Sequence, residues 1–334
     1  MRFRVGTGGA TPVVDSTTAN GRIEVTLVIT TRNRADRLEP TLASLVYQAM
    51  GDTPWELVLI DNGSTDGTSA VIEAAARTLP IRCFNVSTPG KTHAQNVAVE
   101  QARGYLLVFT DDDVRFAPGW LVHLHRASHE WPEADLFGGA IEPHLVDMLP
   151  SWLDCERGRA LIDRHCARYA PRSDEGYTET PPIGPNMALR RSVMTDLRFD
   201  ENVGPDGSQD YIKGGDTDLN QALMTRGLRC VFVPEASVMH GVSADQLKLA
   251  NLFQGGFRRG RKNAYLYPKN NGLRLFGAPL KLWTKLVKQW WRYRLSESKG
   301  PFEHYEAGMK YHYRRGYLAQ CRRQGAVSPR ARSE

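Results

Sequence analysis

Four short apolar runs dominate the first third of the chain: Val25 to Thr30, Trp55 to Ile60, Ile81 to Val86 and Tyr105 to Thr110. Each is too short for a buried helix and lacks apolar–polar alternation, so each reads as a strand buried on both faces. Between them, Leu38, Leu42, Leu45 and Val46 recur at helical spacing. Ser69 to Thr78 is Ala-rich, and Thr92 to Gln101 predicts a third helix. Buried strands alternating with helices leave one economical solution, a mostly parallel central sheet with helices on both faces.

The second half is less regular. Asp135 to Ile141 and Asn186 to Leu189 predict strands, and Pro143 to Tyr177 a helix followed by a loop. A short helix is expected from Arg191 and a longer one over Asp216 to Arg226. Cys230 to Val233 reads as the last strand, Gln246 to Leu266 as a basic helix, and Leu280 to Leu295 as a separate amphipathic helix. Residues 1–22 read as a disordered leader and 328–334 as a frayed tail. Between them lie a domain over 23–245, with halves 23–115 and 116–245, and a helical basic extension over 246–327.

Composition excludes several classes. Of 334 residues, 41% are apolar and 24% charged, which fits a globular protein and not a low-complexity chain. No apolar run approaches the ~20 residues of a membrane-spanning helix, and the Gly/Thr-rich stretch from Met1 to Arg22 is not expected to act as a secretory signal. The five cysteines are odd in number and form no C-x-x-C pair, which argues against a disulfide scaffold. A reducing cytoplasm is the expected location, with peripheral attachment to the inner membrane face as an extension of that reading.

Charge is concentrated. Residues 256–300 hold 12 Lys/Arg against Glu297 alone. That local +11 exceeds the chain's net +6, so the remainder carries −5. One anionic contact surface is therefore expected rather than a basic fold. Lys281, Lys285, Lys288 and Arg292 fall on one helical stripe, with Trp283, Leu286, Val287 and Trp290 opposite. This pattern suits either a core-packed helix with a solvated face or an interfacial helix on anionic lipid. Nucleic acid is not expected as a partner, because the body is acidic and no RNA-binding motif occurs.

In an open parallel sheet, ligands bind beyond the carboxyl ends of the strands. Here the first run ends in Thr30 to Asn33, the second in Asp61 and the fourth in Asp111-Asp112-Asp113. A single Asp after a strand is an ordinary turn former or helix cap. Three in succession repel one another unless a cation neutralises them. Oxygen ligands of this kind suit Mg²⁺ or Mn²⁺, which commonly bind together with substrate phosphates. No P-loop, Rossmann glycine fingerprint or G-x-S-x-G elbow is present.

From Val25 to Val114 the chain resembles the inverting family 2 glycosyltransferases, whose GT-A fold is Rossmann-like and binds nucleotide sugars. The matching pieces, in order, are Val28 to Arg34, Ile60 to Thr68, Asn96 after Gly90-Lys91, and Phe109 to Asp113 as the D-x-D motif. Downstream, Gly184 to Ala188 is similar to the acceptor-side strand, and Gly214-Gly215-Asp216-Thr217-Asp218-Leu219 to the G-E-D-x-D-L helix start. The resemblance implies that Thr31, Asn33, Arg34, Asp61, Asn96, Asp111 and Asp112 serve the donor, a nucleotide-diphosphate sugar. It implies that Asp113, with Asp111, ligates the metal, that Asp216 is the catalytic base, and that Gly184, Asn186 and Asp218 lie on the acceptor side. His240, after the last expected strand, is either a third metal ligand or a lone loop histidine.

Two positions depart from the family pattern. Gly215 stands where Glu is usual, and Gln95 where Arg is common. The Q-x-x-R-W motif of processive synthases is absent, since Gln254 is followed by Gly255-Gly256-Phe257-Arg258. The expectation is a non-processive, metal-dependent transferase acting on a glycan or lipid-linked acceptor. A nucleotidyltransferase is the rival enzyme, though Thr30 to Arg34 lacks the glycine-rich loop it needs. A non-enzymatic membrane- or nucleic-acid-binding adaptor is the other rival.

Overall fold

The computed structural model describes residues 12–15, 22–48, 50–268 and 273–326. Ten strands form one sheet: β1 (Pro12–Asp15), β2 (Val25–Thr31), β3 (Trp55–Asp61), β4 (Ile81–Asn85), β5 (Leu106–Thr110), β6 (Val114–Phe116), β7 (Leu136–Leu145), β8 (Gly176–Thr178), β9 (Met187–Arg190) and β10 (Cys230–Val242). Their order is β1-β4-β3-β2-β5-β9-β7-β10-β6, with β8 paired to β10. Strands β2 to β5, β7 and β10 run one way, and the four short or edge strands oppose them.

Alternation along the strands explains the two faces. Val25, Leu27 and Ile29 of β2 pack beneath α1 (Ala35–Leu45), α2 (Thr68–Ala75) and α4 (Trp120–Glu130). Val28 and its neighbours Val58 and Ile60 face α3 (Lys91–Gln101) and α6 (Asp216–Thr225). Between these, α5 (Glu156–His165) belongs to a smaller cluster shared with the C-terminal helices. Asn186 anchors the sheet centre. It accepts from Trp120 Nε1 at 2.9 Å and donates to the carbonyls of Ala140 (3.0 Å) and Ala236 (2.7 Å).

Several expectations are corrected. Pro12–Asp15 lies within the stretch expected to be disordered, yet it pairs antiparallel with β4; residues 1–11, 16–21 and the tail 328–334 lie outside the described residues. The last strand does not stop at Val233. It continues to Val242 past Pro234, and its register with β7 shifts between Val233 and Val238. A proline without an N–H is tolerated at such an irregularity. This extension matters, because it carries His240 opposite Val114 and lets Gly241 N–H donate to the Asp113 carbonyl at 2.8 Å.

The extension consists of α7 (Leu249–Leu266), a hairpin of β11 (Arg274–Leu275) and β12 (Ala278–Pro279), α8 (Leu280–Ser296) and α9 (Pro301–Ala326). Helices α7 and α9 meet at the backbone. A Cβ on Gly260 would lie 1.9 Å from the Tyr313 carbonyl, and one on Gly316 1.9 Å from that of Phe257. On α8 the expected apolar flank divides. Trp283 and Leu286 turn toward Tyr317, Leu318 and Cys321 of α9, whereas Val287 and Trp290 stay exposed with Trp291 and Leu295. All four residues of the basic stripe are exposed. No helix among the described residues is long and apolar enough to cross a membrane.

His312 of α9 stacks on Phe253 of α7, with ring centroids 4.9 Å apart. Burial, then Arg315 and His304, lowers its pKa to about 4. A neutral folded histidine that charges near pH 6.5 when unfolded stabilises the fold above that pH. Stability should fall as pH drops from about 6.5 toward 4. His312→Phe, which keeps the stack, should flatten that slope in urea unfolding at pH 4.5 and 7.5. An unchanged slope would show that His312 is not responsible.

Candidate active site

The loops after β2, β3 and β4 converge at one sheet edge, beside the Asp111–Asp113 turn that follows β5, because hydrogen bonds fasten them together. Asn62 N–H donates to the Thr31 carbonyl at 2.9 Å. Its side chain donates to the carbonyls of Val86 and Thr88 and accepts from Gly90 N–H at 2.8 Å. Asn33, at φ 51°, accepts from Thr65 N–H at 2.7 Å. Asp61 accepts from Ser64 N–H at 2.9 Å. Asp66 caps the start of α2 through Thr68 N–H and also accepts from Ala35 N–H.

The three consecutive carboxylates point to three different partners. Asp111 pairs with Lys91 at 2.6 Å. Asp112 is buried, accepts from Thr31 Oγ1 at 2.7 Å and lies 3.1 Å from Arg34. Asp113 lies 2.5 Å from Arg34, 3.7 Å from Arg37 and 3.2 Å from His240 Nε2. Their ionisation follows these surroundings. Burial pushes Asp112 up to about 6 although Arg34 opposes it. Burial also resists charge on Asp113, but the hydrogen bond and charge of His240, then Arg34 and Arg37, hold it down to about 2. Burial disfavours charge on His240, yet Asp113 and Asp111 raise its pKa.

Asp111, Asp113 and His240 bring one ligand atom each within 4.8 Å of one another. Two carboxylate oxygens and an imidazole nitrogen form a donor set that Mn²⁺ or Mg²⁺ accepts. Among the described residues, the buried His240 Nδ1 has no hydrogen-bond partner. Glu24, His125 and His129 form a second such group, at the opposite edge of the sheet.

Asp216, the first residue of α6, enters the same cleft. One oxygen accepts from Gln95 Nε2 at 2.7 Å, and the other lies 3.5 Å from Lys91 Nζ. Lys91 thus spans Asp111 and Asp216, and those two charges hold its proton on against desolvation. Neither Lys91 nor Gln95 stands among the expected site residues. Their signal was available, since positions 91 and 95 are one turn apart on α3 and share a face. The glycines make room for these contacts. A Cβ on Gly184 would sit 2.1 Å from Asp216 Oδ2, and one on Gly214 2.1 Å from Asp218 Oδ2.

Other expected residues are placed differently. Thr31, Arg34, Asp111, Asp112, Asp113, Gly184, Asp216 and His240 line one cleft of 920 Å³. Asn33 and Asp61 do not line it; they brace the adjoining turn by accepting from Thr65 and Ser64. The Asn96 side chain is fully engaged with the backbone of Phe199 and the side chain of Glu201. Asn186 is wholly buried in the sheet contacts given above. Asp218 pairs with Lys262 of α7 at 2.5 Å. Gln254 and Arg261 of α7 also donate to the carbonyls of Gln209 and Asp210. The basic segment is therefore divided between cleft wall and outer surface, not a single surface.

Comparison with known proteins agrees with this geometry. The profile of "Glycosyl transferase family 2" matches residues 26–198. The succinoglycan biosynthesis protein ExoM of Rhizobium meliloti (strain 1021) is 26% identical over 247 residues, 72% of this chain and 75% of its own. The glycosyltransferase AglE of Haloferax volcanii is 28% identical over 225 residues, 65% of this chain and 66% of its own. The mannosyltransferase PcManGT from Pyrobaculum calidifontis, solved with GDP-Man and Mn²⁺, aligns over 96% of this chain and 91% of its own. Its TM-score is 0.53 at 19% identity, which shows a shared fold.

Gly215 adopts φ +113°, and a Cβ there would meet Thr92 Cγ2 at 2.9 Å. Gly215→Glu, which supplies the family's usual carboxylate, should therefore cost about 1–3 kcal/mol through backbone strain. Urea unfolding reads this directly, and a neutral substitution would refute the steric explanation.

Proposed function

The chain belongs to glycosyl transferase family 2 and is a glycosyltransferase, and from that premise we propose an inverting, non-processive transfer of one sugar from a nucleotide diphosphate donor to an acceptor hydroxyl. One observation carries this reading. A carboxylate held by Gln95 and Lys91 faces Asp111, Asp113 and His240 across a single cleft. The nucleotidyltransferase and adaptor readings lose their support once the family is known.

Asp111, Asp113 and His240 would hold the divalent cation, whose chemistry is Lewis-acid neutralisation of the leaving diphosphate. PcManGT, which shares the fold, was solved with GDP-Man and Mn²⁺; the same pairing of nucleotide sugar and cation is proposed here. Gln95 fixes the Asp216 carboxylate so that its free lone pairs address the acceptor hydroxyl. Asp216 takes the hydroxyl proton as that oxygen attacks the anomeric carbon. With one base and no enzymic nucleophile, the configuration inverts. Lys91 keeps a positive charge beside both carboxylates and orients them.

The acceptor is proposed to be a lipid-linked or cell-envelope glycan. Support comes from ExoM, named for succinoglycan biosynthesis, and from the outer face of α8. There Lys281, Lys285, Lys288 and Arg292 accompany exposed Val287, Trp290, Trp291 and Leu295. Basic residues beside exposed tryptophans suit the headgroup region of an anionic membrane.

Asp216→Asn keeps the shape but cannot accept a proton, so transfer should fall about 10²-fold or more with nucleotide affinity nearly unchanged. Collapse of nucleotide affinity instead would assign Asp216 to the donor site. Chelation should abolish transfer, and full activity in chelator would refute the cation requirement. On the membrane, replacing Lys281, Lys285, Lys288 and Arg292 with Gln should release the protein from anionic liposomes. Sedimentation should also weaken with salt, since screening acts over ~8 Å at physiological strength. Equal sedimentation with neutral liposomes would contradict this.

A further inference from the structure

The cleft has two ends of opposite chemistry. At one end the carboxylates of Asp111, Asp112 and Asp113 are matched by Arg34, Lys91 and His240. The other end lies between the last turn of α5, the loop before Gly214 and α7. There Arg164, Lys213 and Arg259 line the same cavity as Asp216. Among the described residues, no ion pair or hydrogen bond engages any of these three head groups. Their neighbours are matched. Lys262 holds Asp218 at 2.5 Å, while Arg258 donates to the Gln209 carbonyl and lies over the Tyr211 ring.

The three cations are close enough to act on their surroundings. His165 is held down to about 4, first by burial and then by Arg259, Lys213 and Arg164. Lys213 is lowered by burial and then by Arg259, Arg258 and Lys262. Arg164 and Arg259 also line an adjoining cavity of 440 Å³, which adds Lys310. The carboxylate at that cavity, Glu306, is taken by Arg157 at 2.8 Å. Positive charge thus converges in a concave space beside the proposed base, and among the described residues no anion is paired with it. Like charges gathered this way repel, and an anionic ligand relieves that repulsion.

We propose that Arg164, Lys213 and Arg259 form a subsite for a phosphate group carried by the acceptor, seated so that the acceptor's hydroxyl reaches Asp216. This rests on the transferase reading above and names its acceptor class, a phosphorylated glycan or a lipid-phosphate-linked one. Three convergent cations match a phosphate's charge and its several acceptor oxygens better than a single carboxylate or a neutral sugar. The donor's diphosphate is the competing occupant, and the test separates the two.

The full chain and its variant Arg164→Gln/Lys213→Gln/Arg259→Gln are compared, with melting curves to confirm that both are folded. Transfer is measured onto a sugar 1-phosphate, a polyprenyl-diphosphate-linked sugar and the neutral alkyl glycoside of the same sugar. Inorganic phosphate binding is titrated calorimetrically in chelator, and UDP and GDP affinities are titrated with Mn²⁺. The wild type should prefer the phosphorylated acceptors. The variant should raise their KM by about tenfold or more, weaken phosphate binding in parallel, and leave nucleotide affinity within about twofold. Use of the soluble 1-phosphate identifies the phosphate alone as the determinant, and use of the lipid-linked acceptor only identifies the lipid diphosphate; both support the subsite. Equal use of the neutral glycoside by the wild type, unchanged phosphate binding, or a loss of nucleotide affinity would overturn it. If the wild type transfers to none of these acceptors yet hydrolyses a nucleotide sugar and binds phosphate through these residues, the subsite stands and the hydroxyl acceptor is at fault. If it neither hydrolyses donor nor binds nucleotide, the transferase reading itself fails.

Discussion

Three adjacent carboxylates at the end of a buried strand cannot all be charged unless something answers them. Much of the cleft is that answer. Arg34, one strand away, takes Asp112 and Asp113, Lys91 takes Asp111, and His240 closes on Asp113 from β10, the strand paired with β6. Each cation comes from a different element, so the cluster exists only when the sheet is assembled. The burial that raises Asp112 to about 6 and the charges that hold Asp113 down to about 2 are two outcomes of one arrangement. Neighbouring carboxylates therefore differ in ionisation because their environments differ.

Lys91 couples this cluster to the proposed base. It reaches Asp111 at 2.6 Å and Asp216 at 3.5 Å, while Gln95, one turn further along α3, holds the other oxygen of Asp216. One helix thus sets the spacing between the proposed cation-binding group and the proposed base. Gly184 and Gly214 permit the approach, since any side chain there would collide with Asp216 or Asp218. The C-terminal helices complete the wall. Helix α7 is pinned to the 205–215 loop and to Asp218, and α9 is pressed onto α7 at glycines. Helix α8 presents its aromatic and basic face outward.

The first half of the fold was legible because buried parallel strands leave an unmistakable pattern of β-branched runs between Ala- and Leu-rich helices. What was not legible had specific causes. Pro234 interrupts β10, so the strand reads as ended at Val233, although the bulge lets it continue through His240 to Val242. Helix α4 carries Trp120 into the core among scattered polar residues that mask its period. Helix α9 packs through Gly308 and Gly316, which read as breakers rather than as contact points. In the site, the sequence pointed to the carboxylates, to Arg34 and to His240, but not to Lys91 and Gln95. Lys91 entered only as a marker for Asn96 and Gln95 only as a departure from the family pattern, and their shared helical face is what joins them to the cleft. Asn96 and Asn186 show the converse, because a matched motif position can serve the scaffold while its neighbour serves the cleft.

The account stands on a single displacement assisted by Asp216, and the configuration of the product tests it most directly. With a donor of known anomeric configuration, proton NMR of the transferred sugar reads the stereochemistry of the first product formed. Inversion at the anomeric carbon is the predicted result. Retention would require an enzymic nucleophile on the opposite face of the sugar and would contradict the assignment of Asp216 as the base.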